Sequence, residues 1–193
     1  MTRFKTISKA LLLMCAVALA GSALAQDVVH AVAGAVTHVD KAGKTIAIKA
    51  TDGSEQVFKF TERTAIRTSV ETEKGAKRGA LDTYFAGKEG TKVVVRYMGK
   101  GVDKTATVVE DFGKESLKVG KGTVTHVDRA AQTVSVKTEG GAEETYKLGS
   151  AAVVETDHGV VLGTRYLAKE GDKVAVHYTE EEGAKVVHFF HKL

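Results

Sequence analysis

Short runs in which every second residue is apolar recur along this chain, and Gly-containing breaks separate them. That period belongs to strands with one buried face. TIAIK (45–49) puts Ile46 and Ile48 on one side, and VFKF (57–60) puts Phe58 and Phe60 together. Asp52-Gly53 between them is a hairpin signal, because both residues tolerate positive φ. KVVVRY (92–97) and TATVVED (105–111) predict two more strands, and LDTYFAGKEG before them predicts a short helical turn. DVVHAVA (27–33) lengthens the first strand, which runs on through Gly34 and Val36.

The whole pattern is then written a second time. GAVTHVDKAGKTIAIK, Gly34 to Lys49, returns without a gap as GTVTHVDRAAQTVSVK, Gly122 to Lys137. VTHVD is identical in both, and Lys41/Arg129, Ile46/Val134 and Ile48/Val136 exchange like for like. Gly140-Gly141 is the second hairpin turn, Tyr146 and Leu148 follow where Phe58 and Phe60 stood, and KVAVHY (173–178) and AKVVHFF (184–190) complete the copy. The alignment offset falls from 88 at Gly34/Gly122 to 81 at Gly90/Gly171, so the first copy holds seven extra residues, around Glu71 to Ala80. A repeat this long is one small folding unit used twice.

Five short strands and one helical turn per copy must leave no open edge, and closing the sheet achieves this. The expected fold is therefore all-β, with two tandem five-stranded OB-like barrels; an SH3-like barrel or a small sandwich is the rival topology. The boundaries are residues 26–112 for the first barrel, 113–121 for a linker and 122–193 for the second. Val36, Ile46, Ile48, Phe58, Phe60, Val93 and Val95 form one expected core. Val124, Val134, Val136, Tyr146, Leu148, Val174 and Val176 form the other. Units this small are near the lower limit for a self-sufficient core, so burying one on the other is a physical reason for the duplication.

The motifs G-x-V-T-x-V-D, T-[VI]-x-[VI]-K and K-E-G-x-K-V-x-V-x-Y resemble the small OB-like β-barrel repeats of exported bacterial proteins, found singly or in tandem behind a signal peptide. The resemblance covers nearly all of the chain after residue 25. It implies the fold and export, and it carries over no active-site residue.

Export is also written in the first residues. Arg3, Lys5 and Lys9 precede the apolar run Ala10 to Ala20, and Ala23-Leu24-Ala25 is a small-x-small cleavage site, so residues 1–25 read as a signal peptide. The apolar run is short of the ~20 residues of a spanning helix, and the expected location is the periplasm or the cell exterior. Cleavage removes Cys15, the one cysteine, and with it disulfides and thiolate chemistry. It also takes Lys+Arg from 28 to 25 against 24 Asp+Glu, so the net charge drops from +4 to +1. With no Trp and near-neutral charge, nucleic acid is not an expected partner. Residues 26–105 keep 14 basic and 10 acidic side chains, whereas 122–193 have 8 and 11. This asymmetry fits two differently solvated surfaces, or self-association between the basic first and acidic second repeat.

No nucleophile elbow, zincin motif or phosphate loop is present, and the expectation is a protein without catalysis or cofactor. Binding is assigned to loops: the basic segment with Lys74, Lys77 and Arg78, and the loop after Tyr97. The partner expected there is an envelope component, another protein or a small charged ligand. The alternative is a periplasmic copper or zinc protein using His38 and His126, the two histidines that recur, with His188 and His191. Strict alternation puts Val36, His38 and Asp40 on one face and sets His188 and His191 on opposite faces. In sequence, His177 and His188 align with Arg96 and Glu110.

Overall fold

The computed structural model describes residues 28–68, 77–78, 80–114, 116–163 and 168–193. The signal-peptide assignment to residues 1–25, Lys74, and residues 164–167 of the second expected helical turn lie outside the described residues.

The first half contains β1 (His30–Asp40), β2 (Thr45–Ala50), β3 (Glu55–Lys59), β4 (Ala65–Thr68), β5 (Lys77–Arg78), α1 (Leu81–Tyr84), β6 (Lys92–Met98) and β7 (Thr105–Asp111). β1, β2 and β3 form a meander, β6 returns antiparallel to β1, and β7 pairs with β6. A parallel contact between Lys59 of β3 and Thr105 of β7 closes the ring. The circuit β1-β2-β3-β7-β6 is that of an OB-like barrel. The second half repeats it with β8 (Lys118–Asp128), β9 (Thr133–Thr138), β10 (Glu143–Thr156), β12 (Lys173–Glu181) and β13 (Ala184–Lys192). Here β10 lies parallel to β13 and also pairs with β9, so the ring β8-β9-β10-β13-β12 is closed as well. β11 (Gly159–Leu162) folds back on the end of β10, and in the first barrel β4 runs parallel to β7.

The long strands β1 and β8 bend between two partners, and glycine makes this possible. A Cβ at Gly34 would lie 2.4 Å from the Lys49 carbonyl oxygen, and one at Gly122 would lie 2.2 Å from that of Lys137. Just beyond, the register with the next strand slips between Val36 and His38, and identically between Val124 and His126. This β-bulge shifts the alternation by one. Val36 faces inward, and after the bulge Val39 packs on the core while His38 is exposed. The expected common face of Val36, His38 and Asp40 is therefore broken by a bulge that periodicity does not reveal. Asp40 accepts the amides of Ala42 and Gly43 at 2.9 and 3.0 Å, and Asp128 accepts those of Ala130 and Ala131 at 2.8 and 2.9 Å. The repeated aspartate shapes the turn.

Each barrel is filled. Val36, Ile46, Ile48, Phe58, Phe60, Val93 and Val95 share one apolar cluster with Leu81 and Phe85 of the helical segment. Val124, Val134, Val136, Tyr146, Val174 and Val176 share another, with Leu148 at its margin. Every expected core residue is thus in its place, each large one contributing about 1.5–3 kcal/mol. Both barrels also use the same plug. Lys104 Nζ lies 5.7 and 5.3 Å from the ring centres of Phe58 and Tyr97 and donates to Gln56 at 2.8 Å. Lys185 Nζ lies 5.5 and 5.4 Å from those of Tyr146 and Tyr178 and pairs with Glu144 at 2.7 Å.

A third cluster joins the barrels. Ala31, Ala33, Val94 and Phe112 of the first pack with Leu117, Val153 and Phe189 of the second half. The Glu155 carboxylate clamps this seam, meeting His30 Nδ1 at 2.6 Å through one oxygen and accepting the Ala31 amide at 2.7 Å through the other. The Val160 amide donates to the Val29 carbonyl at 2.7 Å, and Arg96 donates to the Ala151 carbonyl at 3.1 Å. No helix among the described residues is long and apolar enough to cross a membrane.

Candidate functional site, the cleft between the barrels

Concave surface among the described residues occurs where the two barrels meet and on the flank of the second barrel, beside Leu148 and His188 and beside Glu143 and Lys185. Beside the Glu155 clamp lies a cleft of about 590 Å³. Its first wall is the start of β1, from Ala31 to Ala33, with the turn Ala50 to Asp52. Its second is the end of β10 and the turn to β11, Glu155 to His158, with Phe189 and His191 of β13 and the Lys169–Asp172 turn. Ala31, Ala33 and Phe189 belong to the inter-barrel cluster and give the cleft a dry floor. Its carboxylates do not share one state. Glu155 is spent on the clamp, and Asp172 pairs with Lys192 at 2.7 Å. Asp172 is held below its ordinary pKa by that bond and by the Lys169 amide. Asp52 accepts the Ser54 hydroxyl at 2.6 Å and its amide at 2.8 Å, which lowers its pKa too.

Behind the cleft sits a cluster of rings. His177 is fully buried, and neither ring nitrogen has a partner among the described residues. Its centroid lies 5.2 Å from Phe189 and 5.7 Å from His191, which in turn stacks on Phe189 at 5.3 Å. Burial first, then the nearby His191 and Lys121, push the His177 pKa down to about 3, so it is neutral near pH 7. His191 is shifted down mainly by burial, and its Nδ1 is buried without a partner among the described residues. Strand register identifies what these residues replace. Glu110 lies opposite Val94 in the first barrel, and His191 lies opposite Ala175 in the second, so His177 and His191 take the places of Arg96 and Glu110. The sequence alignment that pairs His188 with Glu110 is corrected by this register. In the first barrel the two positions hold a buried ion pair at 3.8 Å, and burial raises the Glu110 pKa against the pull of Arg96.

The other candidates drawn from the sequence are scattered. His38 is exposed at the end of β1, and His126 is exposed with Glu170 3.6 Å from its Nδ1. The strict alternation assumed for His188 and His191 fails, because the β12–β13 register skips His188 at a second bulge. His188 packs against Phe112 at 4.6 Å and meets the Thr179 hydroxyl at 2.7 Å, while His191 lines the cleft. Among the described residues, no three histidine and carboxylate side chains converge as metal ligands would. Lys77 and Arg78 form β5, paired with Ile66 and Ala65 of β4. In the loop after Tyr97, Asp103 pairs with Lys59 at 2.9 Å and Val102 is exposed. The cleft itself has no local signature, since its walls come from residues more than a hundred positions apart.

The fold and its seam define a tandem OB-like barrel protein with a cleft of about 590 Å³ between the repeats. No protein-family model matches the chain, and no curated protein sequence matches it. Among solved structures, apo-CusF residues 6–88 from Escherichia coli is similar with a TM-score of 0.32 and 11% identity, over 40% of this chain and 87% of that one. Ag(I)-bound CusF residues 10–88 from Escherichia coli gives 0.32 and 11%, over 40% and 91%. A Cu(II)-bound variant of that protein gives 0.32 and 12%, over 40% and 92%. Similarity at that TM-score carries no weight for fold or chemistry here.

Proposed function

We propose that this protein is a non-catalytic binding module of the bacterial cell envelope, exported by residues 1–25, that takes a small charged ligand in the cleft between its barrels. One observation carries the reading. The barrel interiors are filled with apolar side chains, whereas the cleft offers about 590 Å³, within the range of small-molecule sites and above the about 350 and 430 Å³ of two hollows on the flank of the second barrel. Its walls stand on strands of both barrels and are fixed by the Glu155 clamp, so a ligand meets a preformed surface. Both repeats are needed to build it, which gives the duplication a use beyond stability. The segment with Lys74, Lys77 and Arg78 is left as a second contact surface for an envelope partner. A copper or zinc site made from His38, His126, His188 and His191 forms no part of this reading.

Native mass spectrometry of the chain from residue 26 onward, with a panel of amines, carboxylates and phosphates, tests it. Thr51 is an exposed lip residue of the cleft, so Thr51→Trp fills the space without disturbing either core. At least one compound class bound by the wild type and lost in Thr51→Trp supports the proposal. Retention of none, or equal retention by both, overturns it.

A further inference from the structure

We infer that the cleft selects an organic cation, an alkylammonium with an apolar stem such as a di- or polyamine; this rests on the cleft being the ligand site. Four carboxylates line it, Asp52, Glu155, Asp157 and Asp172, against two lysines, Lys169 and Lys192. Setting aside the groups that already serve the protein sharpens the balance. Glu155 is held by His30 and the Ala31 amide, and Asp172 and Lys192 neutralise each other. Asp52 and Asp157, one from each barrel, make no ion pair among the described residues, which leaves Lys169 as the one further cation on the rim. Asp52 accepts from Ser54, a neutral residue, so its full negative charge stays on the cleft wall.

The floor agrees with the rim. Ala31, Ala33 and Phe189 supply an apolar strip on which methylene groups lose water at no polar cost. His191 stacks on the buried Phe189 at 5.3 Å and lines the same cleft. An anion would meet two carboxylates against the single amine of Lys169, and no arginine, since Arg96 is turned to Ala151 and Glu110. A neutral sugar would leave the carboxylate in excess over Lys169 unmatched. Asp52 and Asp157 are both exposed at the rim, so their attraction for a cation is screened by salt and strongest at low ionic strength.

Titration calorimetry at low salt with spermidine, the neutral diol 1,4-butanediol and the dianion succinate decides the matter. The wild type is expected to bind spermidine but neither control, and Asp52→Asn with Asp157→Asn is expected to weaken spermidine about tenfold. Asp52→Asn keeps an acceptor for Ser54 and a good turn residue before Gly53, and Asp157 is exposed, so the variant should retain its fold; an unchanged melting curve checks this. No spermidine binding by the wild type would overturn the inference. Succinate binding that Thr51→Trp abolishes would overturn the charge assignment and leave the cleft reading standing. Spermidine binding unchanged in both Thr51→Trp and the double variant would overturn both.

Discussion

Acidification should destabilise this protein through its buried histidines, His177 foremost. His177 is fully buried with no hydrogen bond to either nitrogen among the described residues, and its pKa in the folded chain is pushed down to about 3 from 6.5. The unfolded chain therefore takes up this proton first, so the stability is complete above about pH 6.5 and is lost as pH falls toward 3. Between pH 7 and pH 5 the linkage amounts to about 2 kcal/mol, a large fraction of a small domain's reserve. His188 and His191, both shifted down mainly by burial, add in the same direction. Glu110 works against them, since burial raises its pKa and its protonation favours the folded state. Comparison with His177→Phe isolates the term. Phenylalanine keeps a flat ring and lacks the two unpaired polar nitrogens, whose removal should raise stability at pH 7 by about 1–3 kcal/mol. Urea unfolding of both proteins at pH 7 and pH 5 gives the four numbers required. Wild type should lose about 2 kcal/mol more than the variant on acidification. Equal losses, or a variant less stable at pH 7, would refute a neutral, unpaired His177.

The seam, the cores and the strand glycines give further expectations. Glu155→Ala leaves the Ala31 amide and His30 without an acceptor and should cost about 1.5–3 kcal/mol, with faster hydrogen exchange at Ala31; unchanged exchange there would contradict the clamp. Phe58→Ala, deep in the first barrel, should cost about 3–5 kcal/mol in urea unfolding. Gly34→Ala puts a methyl into the Lys49 carbonyl and should lower stability by about 1–3 kcal/mol, with Gly122→Ala doing the same in the second barrel; circular-dichroism melts read both.

Sequence pattern was enough for what depends on local alternation. Ile46, Ile48, Phe58 and Phe60 point inward because a two-residue period leaves them no other face, and the repeat carries the same logic to Val134, Val136 and Tyr146. Closure was legible too, through the need of short strands to satisfy their edges. The bulges were not, since the unpaired residue at Val36–His38 or at His188 looks like any strand residue until its partner's register is known. Such slips expose His38 in β1 and set His191, not His188, at the place of Glu110 in β13. The cleft was equally hidden, because Asp52 and Asp157 meet only through the packing of Ala31, Ala33 and Val94 on Val153 and Phe189. Exposed basic loops attract attention in a sequence, while a seam between repeats has no signature of its own.

The binding account stands or falls on where a ligand is felt. A proton–nitrogen correlation titration of the chain from residue 26 with spermidine should move the amides of Ala31, Ala33, Asp52, Asp157 and His191 together, on one saturating curve. Shifts confined to Lys77, Arg78 and the loop after Tyr97, or spread evenly over both barrels, would contradict it.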